Sequence, residues 1–274
     1  MEQILIVIPA RYQSSRLPGK PLKKIAGVEM IKRVSGIADY ICKKNDRCNY
    51  VVATDDERII DFCEDNNINA LLTSDTCKSG TERCWDAVKK SNSRPELIIN
   101  LQGDNPLCPP DILQEIIDSW KKGKADVFTP CIHLKWDEYE RLVEAKKTTP
   151  YSGTTVLVNK AGYAMAFSKT IIPTIRKVEA AKEKLEKSPV RQHIGLYAYT
   201  YSALENYFNL SQSDYEKDFI EGLEQMRFLV NGLQVKMVEI DLKGRIFTSG
   251  VDSPEDVERT EAIIKEYGEF DLSL

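Results

Sequence analysis

The sequence has only two histidines, His133 and His193, and none of its seven cysteines stand in a CxxC spacing. Structural zinc sites are built from such close ligand pairs, so any metal is expected to be hard and oxygen-ligated. The odd, scattered set of thiols fits reduced cysteines in a cytoplasmic protein better than a disulfide framework. No apolar run reaches the roughly 18–20 residues of a membrane span, so a soluble chain with no membrane partner is expected. The opening MEQILIVIPA lacks a basic n-region and a small-residue cleavage site and reads as a strand, not as a secretory leader. The Walker A pattern and GxGxxG are both missing, which removes the main support for P-loop and dinucleotide readings. Acidic residues are absent between Glu2 and Glu29, where Arg11, Arg16, Lys20, Lys23 and Lys24 gather. A formal charge of −4 argues against nucleic-acid binding. A basic loop on an acidic chain favours a small polyanion, with a solvated charge run as the alternative.

The 274 residues, 42% of them hydrophobic, can bury a sizeable core. Apolar runs of strand length occur at 3–10, 49–53, 68–72, 96–101 and 125–131, and helix-length segments lie between them near 28–43, 56–65, 81–92 and 110–121. Strands buried on both faces look like this, and their alternation with helices predicts a Rossmann-like α/β lobe with a mainly parallel sheet over 1–132. From 133 to 240 the pattern changes to a smaller mixed α/β lobe. It begins with a polar stretch to 153, followed by strands at VLVN and YAMAFS, a charged helix around 174–187, a strand over 193–201, a helix over 214–232 and a strand over 234–240. Residues 241–274 return to the first lobe and close on a helix with Ser253 as N-cap, Pro254 at N1 and Asp256 at N3.

Three segments carry chemistry. In VIPARYQSSRLPGKPL, residues 7–22, a loop follows the first strand, at the end where open α/β sheets bind ligands. Ala10, Ser14, Ser15 and Gly19 let backbone N–H groups approach phosphates, and Arg11, Arg16 and Lys20 supply charge; an ordinary turn with surface lysines would have the same composition. In LIINLQGDNPLCPPDIL, residues 97–113, an apolar strand runs into Gln102-Gly103-Asp104. Asp104 is the leading magnesium candidate, although an Asp opening a turn before Pro106 is also common. In FTSGVDSPEDVE, residues 247–258, Asp252 precedes the capped helix and is the natural partner of Asp104, unless it serves only the helix dipole.

PARYQSSRLPGKPL, VVATDD, SGTER, LQGDNP, GYAMAFS, HIGLYAY, GLEQMR and SGVDSPEDVER follow one another across nearly the whole chain. In this order they resemble the CMP-Kdo synthetases, the 3-deoxy-manno-octulosonate cytidylyltransferases. The resemblance implies a magnesium-dependent homodimer that joins CMP from CTP to a small acidic sugar of the 3-deoxy-ulosonic type for lipopolysaccharide or capsule synthesis. It places Arg11 and Lys20 on the CTP phosphates, with Ala10, Ser14 and Ser15 lining the same loop and Ser79 and Arg83 near the nucleotide. Asp104 and Asp252 would bind magnesium. Gln102, Arg176, His193, Tyr197, Glu224 and Gln225 would face the sugar acid, the lobe 133–240 adding sugar binding and dimerisation. A lone strand histidine is also often merely packed.

The chain departs from that family mostly on the acceptor side. Asn105 stands where QGDEP has its glutamate, and Gln192 where an arginine usually precedes the sugar-site histidine, with Arg191 one place earlier. IPTIR replaces IPWDR, and a strand lysine is missing from TTVLV. The lost positive charge raises an amino-bearing acceptor as an alternative to Kdo, unless Arg191 and Arg176 take over the contacts. A catalytically inactive nucleotide-binding relative and a nucleotide-sugar glycosyltransferase are the other readings; Asp104-Asn105-Pro106 does not supply the DxD of the last.

Overall fold

A computed structural model describes residues 3–14, 16–244 and 250–272. Along the first part run β1 (Ile4–Ala10), the short pair β2 (Lys24–Ile25) and β3 (Val28–Glu29), α1 (Met30–Lys44), β4 (Cys48–Thr54), α2 (Glu57–Asp65), β5 (Ala70–Leu72), α3 (Gly80–Lys90), β6 (Leu97–Asn100) and α4 (Pro110–Lys122). There follow β7 (Val127–His133), α5 (Trp136–Thr148), β8 (Thr154–Val158), β9 (Ala164–Ser168), α6 (Val178–Lys182), β10 (Arg191–His193), β11 (Tyr197–Thr200), α7 (Tyr201–Asn206), α8 (Met226–Val230), β12 (Val235–Glu239) and α9 (Pro254–Tyr267). The chain is an α/β protein and divides into two compact units, Met1–Gln114 with Leu242–Leu274, and Glu115–Asp241.

In the first unit β5, β4, β1 and β6 lie side by side, and every pairing is parallel. Ile4 to Ile8 of β1 are all buried, as expected of a strand covered on both faces. Amphipathic α1 buries Ile31, Val34, Ile37, Ala38 and Ile41, and its Met30 packs with Leu17, Ile25 and Val251. The parallel order puts the loops after β1 and β6 at the same end of neighbouring strands, where this architecture binds ligands.

The second unit is organised on β7. Antiparallel β10 and β11 and parallel β12 pair with it, and β8 and β9 extend the sheet beyond β10. Val127–His133 belongs to this second unit, Glu115–Asp241.

Four local expectations are corrected. The polar stretch 133–153 contains α5, whose Tyr139 and Leu142 pack with Leu134 and Val190; three-residue spacing of two apolar residues was the overlooked signal. The charged helix 174–187 shrinks to α6, beyond which the Leu185 carbonyl accepts the Trp136 indole N–H. The helix 214–232 is reduced to a 3₁₀ turn at Asp214–Glu216 and to α8, because Gly222 takes a left-handed φ of +59° between them. The strand 193–201 becomes β10 and β11, and the Thr129 hydroxyl reaches the Ile194 and Leu196 carbonyls at the break. The expected cap of α9 is present, with Ser253 and Asp256 forming a reciprocal capping box. Among the described residues no helix is long and apolar enough to cross a membrane.

Candidate active site

The loop after β1 is shaped by contacts among its own and neighbouring side chains. Gly19 adopts a φ of +69°, and a Cβ there would stand 3.2 Å from the Tyr12 ring, so glycine is required at the bend. Arg58 stacks on Tyr12, its guanidinium carbon 3.4 Å from the ring centroid. Asp56 holds Arg58 with two side-chain contacts of 2.8 and 2.6 Å and also caps α2. The VVATDD segment therefore fixes the basic loop through Tyr12, a role that the residue types alone did not reveal. On this frame Ala10 ends β1, Ser14 Oγ accepts the Leu17 N–H, and Arg11 is exposed with no partner among the described residues. Ser15 lies outside the described residues.

Asp104 and Asp252 meet. Gly103 passes so close to β1 that a Cβ would be 2.5 Å from the Pro9 carbonyl oxygen. The Val251 N–H donates to the Asp104 carbonyl at 2.8 Å, and a Cβ on Gly250 would fall 2.8 Å from Asp104 Oδ1. Asp252 is set by the cap of α9, since Asp256 accepts the N–H groups of Asp252 and Ser253. The two carboxylates converge on one cation, the Lys20 ammonium, 2.8 Å from Asp104 Oδ2 and 2.9 Å from Asp252 Oδ1. Burial works against charge on Lys20, but the two carboxylates outweigh it and hold its pKa above the ordinary lysine value. Arg16 reaches the outer oxygen of Asp252 at 3.0 Å.

This donor set fits magnesium. Two hard carboxylates that already face one cationic position, with the rest of the shell left for water and phosphate oxygens, are what the ion takes from proteins. The lack of a side chain at Gly250 leaves the space that the Asp104 carboxylate occupies. Among the described residues no three His, Cys, Asp or Glu side chains gather as a metal site.

The remaining nucleotide-side predictions are placed differently. Ser79 spends its hydroxyl on the N-cap of α3, accepting from Glu82 N–H at 3.1 Å. Arg83 is 1% exposed and is bound 2.6 Å from both Asp55 Oδ2 and Thr73 Oγ1. Its guanidinium ties VVATDD to SGTER inside the unit, so it supports the neighbourhood of the loop and does not present its charge at a surface. Gln102 donates to Asn100 Oδ1 at 2.9 Å and lies against Gly80 at the start of α3. Asn105 keeps a buried Oδ1 with no protein partner in the residue next to Asp104.

In the second unit the predicted sugar residues form one aromatic and amide cluster. Thr129 Oγ1 lies 2.8 Å from His193 Nε2 and 2.7 Å from the Leu196 carbonyl. A carbonyl only accepts, so the hydroxyl proton points there and His193 carries its own proton on Nε2. Burial pushes the His193 pKa down to about 3, which leaves a neutral ring with Nδ1 as acceptor. Its ring is 5.5 Å from that of Tyr197, whose hydroxyl donates to Gln225 Oε1 at 3.0 Å. Glu224 accepts from Tyr207 at 2.8 Å. Burial, with Glu224 nearby, raises the pKa of both tyrosines. Arg176 is exposed and has no partner among the described residues. Arg191, the candidate substitute cation, is engaged by Glu239 at 3.2 Å.

Residues 5–240 match the model of the cytidylyltransferase family. A 3-deoxy-manno-octulosonate cytidylyltransferase of Maricaulis maris is 43% identical over 97% of this chain and 99% of its own length. Its counterpart in Porphyromonas gingivalis is 35% identical over 97% and 98%. A solved CMP:2-keto-3-deoxy-manno-octonic acid synthetase complexed with CTP superposes with a TM-score of 0.80 at 31% identity, covering 97% of this chain and 99% of that one.

Proposed function

The chain belongs to the 3-deoxy-manno-octulosonate cytidylyltransferase family, and from that premise we propose that it transfers CMP from CTP to the anomeric hydroxyl of Kdo. The carrying observation is the convergence of Asp104 and Asp252 beside a basic loop at the carboxyl end of β1. The hydroxyl oxygen attacks the α-phosphorus, the bond to the bridging oxygen breaks, and pyrophosphate leaves with the electron pair. Such transfers depend on position and charge, not on a protein nucleophile.

Arg11 is free to bind phosphate oxygens, and Lys20 supplies a second cation from the same loop, offsetting charge on the departing pyrophosphate. Asp104 and Asp252 are the residues to hold magnesium, which when bound supplies Lewis-acid charge neutralisation and a more acidic attacking hydroxyl. Arg83 and the Tyr12–Arg58 stack keep the loop in position. For the acceptor, the second unit offers the charge of Arg176 to the sugar carboxylate and hydrogen bonds from neutral His193, Tyr197, Glu224 and Gln225 to its hydroxyls. An amino-bearing acceptor and an inactive relative are not favoured, since the relatives are named for the Kdo reaction and both metal carboxylates are kept.

A homodimer is part of the same reading, supported by exposed apolar side chains on the second unit at Met165, Phe208, Tyr215, Phe219, Ile220 and Val230. Seven cysteines, with no disulfide among the described residues, support a reducing, cytoplasmic setting. Pyrophosphate release tests the function. CTP with Kdo and magnesium is expected to turn over, and ATP or GTP to be poor donors. Equal turnover of ATP and CTP, or no release with Kdo while another acid is used, refutes the assignment.

A further inference from the structure

Lys20 is claimed by two partners that it cannot serve at once. Its ammonium hydrogen-bonds to both Asp104 and Asp252, whereas a magnesium ion on the same carboxylates needs their oxygens at about 2.0–2.1 Å. The ammonium protons occupy the oxygen lone pairs facing the shared point, so metal and Lys20 exclude each other there. Lys20 is also the more buried member of the group, 15% exposed against 30% and 39% for the two carboxylates, so its displaced charge needs another anionic partner. A bound triphosphate provides one.

The backbone allows this exchange without moving the loop. Gly19 sets the turn, and the Lys23 N–H bonds to the Lys20 carbonyl, so only the flexible four-carbon side chain has to rotate. Arg16, 66% exposed on the outer oxygen of Asp252, is too solvated to hold the pair neutral by itself.

We propose that Lys20 is the resident counter-ion of the Asp104–Asp252 pair and is exchanged onto the triphosphate as metal and nucleotide load together, coupling the two binding events. This rests on the reading that the two aspartates hold the metal. Metal alone must displace Lys20 into water and binds weakly. Metal with nucleotide gives Lys20 a new partner, so each ligand raises the affinity of the other by the same factor, in the usual range of roughly 5- to 150-fold. The empty site stays neutralised, and two neighbouring carboxylates do not repel each other.

Mn²⁺ is the probe, measured by calorimetry or electron paramagnetic resonance on the full chain without nucleotide. Lys20→Met is expected to bind Mn²⁺ about tenfold or more tightly than the unmodified protein, the competitor having been removed, and Asp104→Asn to lose it. A second readout needs no mutation at Lys20: amine acetylation there, followed by mass spectrometry, should be slow without metal, faster with Mn²⁺ alone and slow again with Mn²⁺ plus a non-hydrolysable CTP analogue. Mn²⁺ affinity unchanged by Lys20→Met, or labelling unmoved by Mn²⁺, with Asp104→Asn still losing the metal, overturns the exchange and leaves the metal assignment standing. Mn²⁺ binding that survives both Asp104→Asn and Asp252→Asn refutes the metal assignment itself. If Lys20→Met does not fold, the labelling decides.

Discussion

Arg83 provides a test of whether a family motif residue acts on the ligand or on the fold. Its guanidinium is 1% exposed, lies 2.6 Å from Asp55 Oδ2 and 2.6 Å from Thr73 Oγ1, and adds a longer contact to the Ser74 carbonyl. Asp55 is less buried, its side chain 20% exposed. Arg83→Met strands only the carboxylate, which water can partly reach, so a loss near the lower end of the range for broken buried pairs is expected, about 3 kcal/mol. For a chain of this size that corresponds to a fall in melting temperature of roughly 6–12 °C. Asp55→Ala strands the deeper charge, the guanidinium, and is expected to cost at least as much. The double variant should cost less than the sum of the two, with a coupling of about 0.5–3 kcal/mol. Urea unfolding of the four proteins, with KM for CTP measured beside it, completes the cycle. Unchanged stability of Arg83→Met with a raised KM for CTP would place the guanidinium on the nucleotide and refute the structural role.

Asp104→Asn and Asp252→Asn keep the side-chain volume and remove a charge; each should lower kcat/KM at saturating magnesium by about 10²-fold or more, and near-normal turnover by either would end the two-carboxylate site. Gly103→Ala puts a methyl group 2.5 Å from the Pro9 carbonyl oxygen, a backbone atom that cannot rotate away, so both stability and pyrophosphate release should fall; a normal melting curve contradicts the close approach. For His193 the folded pKa, pushed down to about 3, lies below the unfolded value, so the unfolded chain takes up the proton first and stability is lost as pH falls below the unfolded pKa of about 6.5. Between about pH 7 and pH 5 this amounts to roughly 2 kcal/mol. His193→Gln should flatten that part of the urea-measured profile, and identical slopes in the two proteins would show the ring to be no buried neutral base.

The sequence by itself determined the parallel unit, because strands buried on both faces are continuous apolar runs and the helices between them are amphipathic. It also determined the cap of α9, since Ser253, Pro254 and Asp256 act on backbone groups within one helical turn. It pointed to the basic loop and to both aspartates, whose residue types and neighbours are local. It misjudged 133–153 and 214–232, where two apolar side chains or one left-handed glycine outweighed the composition of the segment. The partners of Lys20 and Arg83 were decided by tertiary structure alone. Lys20 and Asp252 are separated by 232 positions and Arg83 and Asp55 by 28, and nothing in a charged residue's identity states whether its counter-ion will be a ligand or another side chain. That choice depends on which strand ends the sheet brings together and on how much water remains there, because an ion is held by whatever opposite charge is nearest once its solvent has been removed.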